Sequence, residues 1–243
     1  MARVALVTGG TRGIGEAICN KLHEKGYTVI ANYGGNDAKA QEFTKRTGIP
    51  AVKFDVSNFD ATQAAIQAIE KEYGPVDVLV NNVGLLDQGE FTDIALENHL
   101  QLVNINVSVL TALTHLFLEP MRERGSGKVL NVASLSAFMP VPKMAVYAAS
   151  KAYVVSFSEA LYEELKGTGV SVTALCPGFV STDMVAGAEA QGDFRVPAAM
   201  LMSPQRVAEE AYTACMEKVA VHVPGVGIRL SAQISDMAPR ALR

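Results

Sequence analysis

Short apolar runs without polar alternation recur along the chain at 4–7, 27–32, 51–54, 76–80, 128–132, 170–175 and 219–223. Between them lie stretches with apolar residues at helical spacing, at 14–25, 37–46, 60–73, 97–119, 147–166 and 204–218. A strand that is apolar on both sides is covered on both faces, as in a parallel sheet. Strand and helix in repeated alternation predict an α/β fold, a doubly wound parallel sheet of about seven strands flanked by helices, with right-handed crossovers. Ligands of such sheets bind outside the carboxyl ends of the strands. Gly74-Pro75 and Gly48-Ile49-Pro50 punctuate helix-to-strand turns. The segment 184–203 has no clear period and follows a strand end, which marks it as a substrate lid.

Composition narrows the class. The 243 residues suit one dinucleotide-sized domain, 1–243, better than two, and at this length no disulfide or metal staple is required. Hydrophobic residues at 49%, charged residues at 19% and a net charge of -4 exclude a disordered polymer, a coiled coil and a polybasic nucleic-acid binder. No uninterrupted apolar run approaches the ~20 residues of a membrane span, and the start lacks the apolar core of a secretory signal. Cys19, Cys176 and Cys215 form no CxxC pair. The expectation is a reduced, cytoplasmic protein without an integral membrane segment.

The octet Thr8-Gly9-Gly10-Thr11-Arg12-Gly13-Ile14-Gly15 follows the first strand and opens directly into the first helix. Glycine lets the backbone turn tightly and lets a pyrophosphate approach with no Cβ in the way. The N–H groups and positive dipole end of the helix then favour the anion. Three glycines in a turn could serve packing alone; the strand before and the helix after point to a Rossmann-type dinucleotide site. The spacing is not the Walker pattern, so nucleotide hydrolysis is disfavoured. An acid about 20 residues further on would bind the ribose 2′-hydroxyl of NAD. Here the second strand ends Ala31-Asn32-Tyr33-Gly34-Gly35-Asn36, with no acid until Asp37. Arg12 lies near where a 2′-phosphate would sit, so the expected cofactor is NADP(H), unless Arg12 is only a solvated loop residue.

Tyr147-Ala148-Ala149-Ser150-Lys151 opens a helical pattern and places Tyr147 and Lys151 on one face. A lysine ammonium beside a phenol stabilises the phenolate, which lets the tyrosine exchange a proton with a carbonyl oxygen. Such pairs also arise on helices by chance. With the glycine loop, Asn81-Asn82-Val83-Gly84, Ser134 and Pro177-Gly178 in this order and spacing, the chain resembles the short-chain dehydrogenase/reductase family over roughly residues 3–184. The resemblance implies Tyr147 as the acid–base residue, with Lys151 lowering its pKa and holding the nicotinamide ribose. It implies Ser134, rather than its neighbour Ser136, on the substrate carbonyl, and Asn106 positioning a proton-relay water. It further implies cofactor contacts from Gly9, Thr11, Arg12, Gly13, Ile14, Gly15, Asn32, Asp55, Val56, Asn82, Val83, Gly84, Tyr147, Lys151, Pro177, Gly178 and Thr182, with Asn81 lining the groove. Asp55 would meet the adenine or simply cap a turn. Val83 stands where the family usually has alanine, and could crowd the adenosine or pack harmlessly. No metal is implied, because His23, His99, His115 and His222 lack ligand spacing.

The implied activity is NADPH-dependent reduction of a hydrophobic ketone, an aldehyde or a 3-oxoacyl thioester. Its alternatives are oxidation of a secondary alcohol with NAD(P)+ and a non-catalytic NADP sensor. Met184, Val185, Phe194, Val196, Met200, Leu201 and Met202 of the lid could face Leu85, Leu86, Phe138, Met139, Val141 and Met144, an apolar lining that suits an acyl chain. Residues up to about Gly84 resemble 3-oxoacyl and acetoacetyl-CoA reductases. From about Thr111 onward the chain resembles a branch with poorly defined substrates, as a recombined chain or a natural intermediate would. The tail 226–243 carries Ile228, Leu230, Ile234 and Met237 among arginines, and could cover the pocket, join a partner subunit or touch a membrane surface. The helices 97–119 and 147–166 resemble the family's dimer-forming pair, which implies a homodimer or homotetramer.

Overall fold

Along β1 (Val4–Val7) successive side chains face opposite sides of the sheet, and all four are buried, so each face carries its own core. The structure is a computed structural model that describes residues 3–191 and 195–225. After β1 come α1 (Gly13–Glu24), β2 (Thr28–Tyr33), α2 (Asp37–Thr47), β3 (Ala51–Lys53), α3 (Phe59–Tyr73) and β4 (Val76–Asn81). Then follow α4 (Leu96–Val103), a π-helical segment (Asn104–Val109), α5 (Leu110–Arg124), β5 (Gly127–Val132), α6 (Ala145–Glu164) and β6 (Val170–Leu175). The described chain closes with α7 (Asp183–Gln191), α8 (Pro204–Met216) and β7 (Val221–His222).

The seven strands pair in parallel in the order β3-β2-β1-β4-β5-β6-β7. Winding reverses between β1 and β4, so the loops leaving those strands part and open a crevice at their carboxyl ends. One face packs Ala5, Val7, Val29, Ala31 and Val80 against Ile18 and Leu22 of α1, Phe43 of α2 and Val207 and Ala211 of α8. The other packs Val4, Leu6, Ile30, Leu79 and Val129 against Ile66 of α3 and Leu113, Phe117 and Met121 of α5. Each fully buried side chain of this size stabilises the fold by about 1.5–3 kcal/mol relative to exposure.

Local chemistry sets the element ends. Asn36 and Asn58 cap α2 and α3 by accepting from the N–H groups of Lys39 and Ala61, and Ser203 caps α8 through Arg206. Two expectations are revised. The helix expected over 97–119 runs from Leu96 to Arg124 and changes to i→i+5 hydrogen bonding at Asn104–Val109. By length and mean hydropathy this rod could cross a bilayer, but Leu110, Leu113, Phe117 and Met121 are buried within the fold. The segment 184–203 is not wholly irregular, because Asp183 and the alanines 186, 188 and 190 favour the helix α7. Phe194 and the tail 226–243 lie outside the described residues.

Candidate active site

The glycine loop is braced by its neighbours before any ligand is considered. Thr8 Oγ1 accepts from the N–H groups of Asn82 (2.9 Å) and Val83 (3.2 Å) and donates to the Val80 carbonyl (3.1 Å). Asn82 Nδ2 donates to the carbonyls of Thr8 (2.9 Å) and Gly9 (3.1 Å). Asn32 is buried; its Oδ1 accepts from the Gly9 N–H (3.3 Å) and its Nδ2 donates to the Phe54 carbonyl (2.9 Å). The loops after β1 and β4 and the end of β2 are therefore one hydrogen-bonded unit.

The glycines divide by task. Gly9 and Gly13 have φ of +60° and +56°, which favour glycine. A Cβ on Gly15 would strike the Gly9 carbonyl and the Asn82 amide, and one on Gly10 would meet Ala31 Cβ and Cys19 Sγ at 2.9 Å. Gly10 and Gly15 thus serve close packing. Around Gly13 the nearest atoms to such a Cβ belong to Thr182, its methyl 3.4 Å away. Arg12 is the N-cap of α1 and offers no capping side-chain bond, so the first-turn N–H groups of that helix remain available to an anion. This arrangement fits a pyrophosphate. Val83 Cγ2 lies 3.1 Å from where a Gly9 Cβ would be, and the side chain rests against the second core.

A second cluster gathers where β4, β5 and α6 meet. Lys151 is buried; its Nζ donates to the Val132 carbonyl (2.9 Å) and stands 5.7 Å from the centre of the Tyr147 ring. A Cβ on Gly84 would lie 3.3 Å from both Lys151 Nζ and Asn106 Oδ1, so glycine is what lets the β4 loop approach this close. Asn106 Oδ1 accepts from the Leu85 N–H (2.8 Å), while its Nδ2 donates to the Leu85 carbonyl (3.0 Å) and to Ser150 Oγ (3.0 Å). Ser150 Oγ in turn donates to the Tyr147 carbonyl (2.7 Å). The π-helical segment thereby ties the loop after β4 to the start of α6. Ser134 sits in the turn after β5, its Oγ accepting from the Ser136 N–H (3.2 Å).

Burial tunes these groups. It lowers the Lys151 pKa to about 8 and pushes the Cys176 thiol up to about 12, with the nearby Lys151 charge drawing that thiol back. Burial also raises the Tyr147 phenol, and a hydrogen bond with Ser134 opposes it. The direction at Tyr147 is opposite to the one an adjacent lysine would give: desolvation is the largest cause, and it is the Ser134 hydrogen bond that opposes it. A phenol held above its ordinary pKa carries its proton throughout the neutral range.

The remaining expected residues are placed as follows. Asp55 Oδ1 accepts from the Ser57 N–H (2.9 Å) and hydroxyl (2.7 Å), so it caps a turn. Val56 is buried in the second core, and Ile14 packs on the first. Asn81 is buried, its Nδ2 donating to Thr114 of α5 and to Asn131 of β5. The Pro177 carbonyl accepts from the Leu135 N–H (2.9 Å), joining the end of β6 to the Ser134 turn, with Gly178 next to it. Thr11 is half-buried beside Arg12. In the segment 184–203, Val196 and Met202 are buried, whereas Met184 and Met200 are exposed. Its stem is closed by the pairing of Val180 with Met202. His99 bonds the Phe91 carbonyl and stacks on the Phe91 ring, and His222 pairs with Glu210.

Sequence reading missed two residues here. Asp183 Oδ2 lies 2.8 Å from Lys39 Nζ and 3.9 Å from Arg12 Nη1. The signal available was a lysine in the first turn after β2, beside the chain end that meets the ribose in such folds.

A family model described as short chain dehydrogenase matches residues 3–193. An acetoacetyl-CoA reductase of Paracoccus denitrificans is 42% identical over 185 residues, covering 76% of each chain. A 3-oxoacyl-acyl-carrier-protein reductase of Synechocystis sp. is 31% identical over 230 residues, covering 92% of this chain and 93% of that one. A crystal structure of an actinorhodin polyketide ketoreductase variant with NADPH superposes with a TM-score of 0.84 at 31% identity, covering 93% of this chain and 95% of that chain. The 185 residues shared with the acetoacetyl-CoA reductase exceed either of the two parts distinguished in the sequence, so that likeness is not confined to the residues before Gly84.

Proposed function

This chain belongs to the short-chain dehydrogenase family, and from that premise we propose that it is an NADPH-dependent reductase of a hydrophobic ketone, an aldehyde or a 3-oxoacyl thioester, with Tyr147 as proton donor. The observation that carries the reading is the convergence of Ser134, Tyr147, Lys151 and Asn106 at the carboxyl ends of β4 and β5, beside a loop shaped for a pyrophosphate. The names of the relatives support the thioester, and the ketoreductase with NADPH supports the cofactor. The absence of a carboxylate between Asn32 and Asn36, together with Arg12 and Lys39, favours NADPH over NADH.

NADPH, when bound, supplies the hydride that reaches the carbonyl carbon. Tyr147 donates its proton to the carbonyl oxygen as negative charge develops there. Ser134 bonds the same oxygen and orients the phenol. Lys151, charged below about pH 8, stabilises the phenolate left behind. Asn106 holds the loop after β4 and the first turn of α6 in register, so these groups meet at one point. The segment 184–203 forms the lid, with Met184 and Met200 as its exposed apolar side chains.

A second copy of the chain would cover the exposed Leu96, Leu100 and Val103 of α4, the last of which also lines a groove of about 400 Å³ with Val107, Ala145, Val146, Ala149 and Ser150. The three cysteines are free and buried, which suits a reducing compartment such as the cytoplasm. The test of the activity is a panel of ketones, aldehydes and acetoacetyl-CoA with NADPH consumption as readout. Turnover of at least one hydrophobic carbonyl is expected. NADPH binding without turnover of any would leave a cofactor-binding protein instead.

A further inference from the structure

We infer that Asp183 sets cofactor discrimination by holding Arg12 and Lys39 in place of a nucleotide 2′-phosphate, so that NADPH displaces its carboxylate while NADH does not. This rests on the NADPH reading above. One carboxylate oxygen, Asp183 Oδ2, serves both cations, at 2.8 Å from Lys39 Nζ and 3.9 Å from Arg12 Nη1. The cations come from different elements, Arg12 from the glycine loop and Lys39 from the first turn of α2. They therefore flank the end of β2, where the adenosine ribose of a dinucleotide lies in this fold. A phosphate oxygen would satisfy the same pair of cations.

The other acid in this neighbourhood is already engaged. Asp37 accepts from Lys53 Nζ (3.0 Å) and from the Tyr33 hydroxyl (3.1 Å). Asp183 differs in position: it opens α7 and follows Thr182, whose methyl lies 3.4 Å from the Gly13 Cβ position. All three charged side chains are about half exposed or more. Exposed pairs of this kind are weak and exchange readily, and a phosphate with close to two charges outcompetes one carboxylate for the same cations.

The test is a binding titration of the full chain with NADPH and with NADH, read by nicotinamide fluorescence. In Asp183→Asn the NADPH Kd is expected to fall about three- to tenfold while the NADH Kd stays within about twofold. In Lys39→Met the NADPH Kd is expected to rise by about tenfold with NADH unchanged. An unchanged or weakened NADPH affinity in Asp183→Asn, or equal tightening of both cofactors, overturns the inference. If the wild-type chain binds NADPH no tighter than NADH, the NADPH reading fails and this inference falls with it. A wild-type preference that Asp183→Asn leaves untouched sinks the inference alone.

Discussion

Lys151 carries most of the residue-scale argument. It is an ammonium in a desolvated site, bonded to the Val132 carbonyl, and burial lowers its pKa to about 8 from an ordinary 10.5. The functional consequence is a pH profile in which kcat/KM for carbonyl reduction is level through neutrality and declines above about pH 8, as the charge that stabilises the Tyr147 phenolate is lost. A profile level to pH 10 would count against this role. The stability consequence has its own sign. Between about pH 8 and 10.5 the unfolded chain keeps a proton on this lysine that the folded chain has released, so the contribution of Lys151 to stability rises with pH across that window. Chemical denaturation at pH 7.5 and near pH 10 should show the wild type gaining stability relative to Lys151→Met, because the buried thiols, whose raised pKa values act in the opposite sense, are common to both chains. An equal pH response in both would contradict the assignment to Lys151. The tyrosine–lysine spacing was legible because both lie within two helical turns. The desolvation that governs their pKa values was not, because it comes from β5, β6 and the loop after β4.

At the scale of elements, the π-helical segment Asn104–Val109 is the joint between the sheet and α6. Asn106 uses both amide atoms on Leu85 and Ser150. Asn106→Ala should therefore leave the half-buried Leu85 N–H without its partner and cost about 1–3 kcal/mol, with kcat falling further than stability alone explains. Unaltered unfolding and unaltered kcat would show that the joint has no such function. Strands, helices and the glycine loop could be read from local periodicity, and their bounds moved by only a few residues. Three features resisted that reading because they depend on distant partners. The helix 97–119 looked continuous, since a shift of hydrogen-bond register leaves no mark on apolar spacing. Asp55 had two readings, and its bonds to Ser57, which make it a turn cap, come from the folded loop. The Lys39–Asp183 pair joins residues 144 positions apart, which no local pattern reveals.

For the whole molecule, the reversal of winding between β1 and β4 explains why one sheet holds both the anion cradle and the catalytic cluster. The loops after β1, β4, β5 and β6 all end on the same edge, where Thr8, Asn82, Gly84, Ser134 and Pro177 lie. The same architecture leaves the outer side of α4 apolar. Leu100 is 59% exposed, so Leu100→Glu should fold as the wild type does yet lower the mass seen by light scattering to that of one chain. A wild-type chain that is itself monomeric at micromolar concentration would remove the proposed second copy.

The central claim, that this fold reduces a carbonyl with NADPH and a proton from Tyr147, is tested most directly by Tyr147→Phe. NADPH affinity and steady-state turnover of the best carbonyl from the panel are measured side by side with wild type. The account predicts an unchanged NADPH Kd with turnover reduced by about a hundredfold or more. Turnover retained within a few fold, with NADPH still bound, would contradict it.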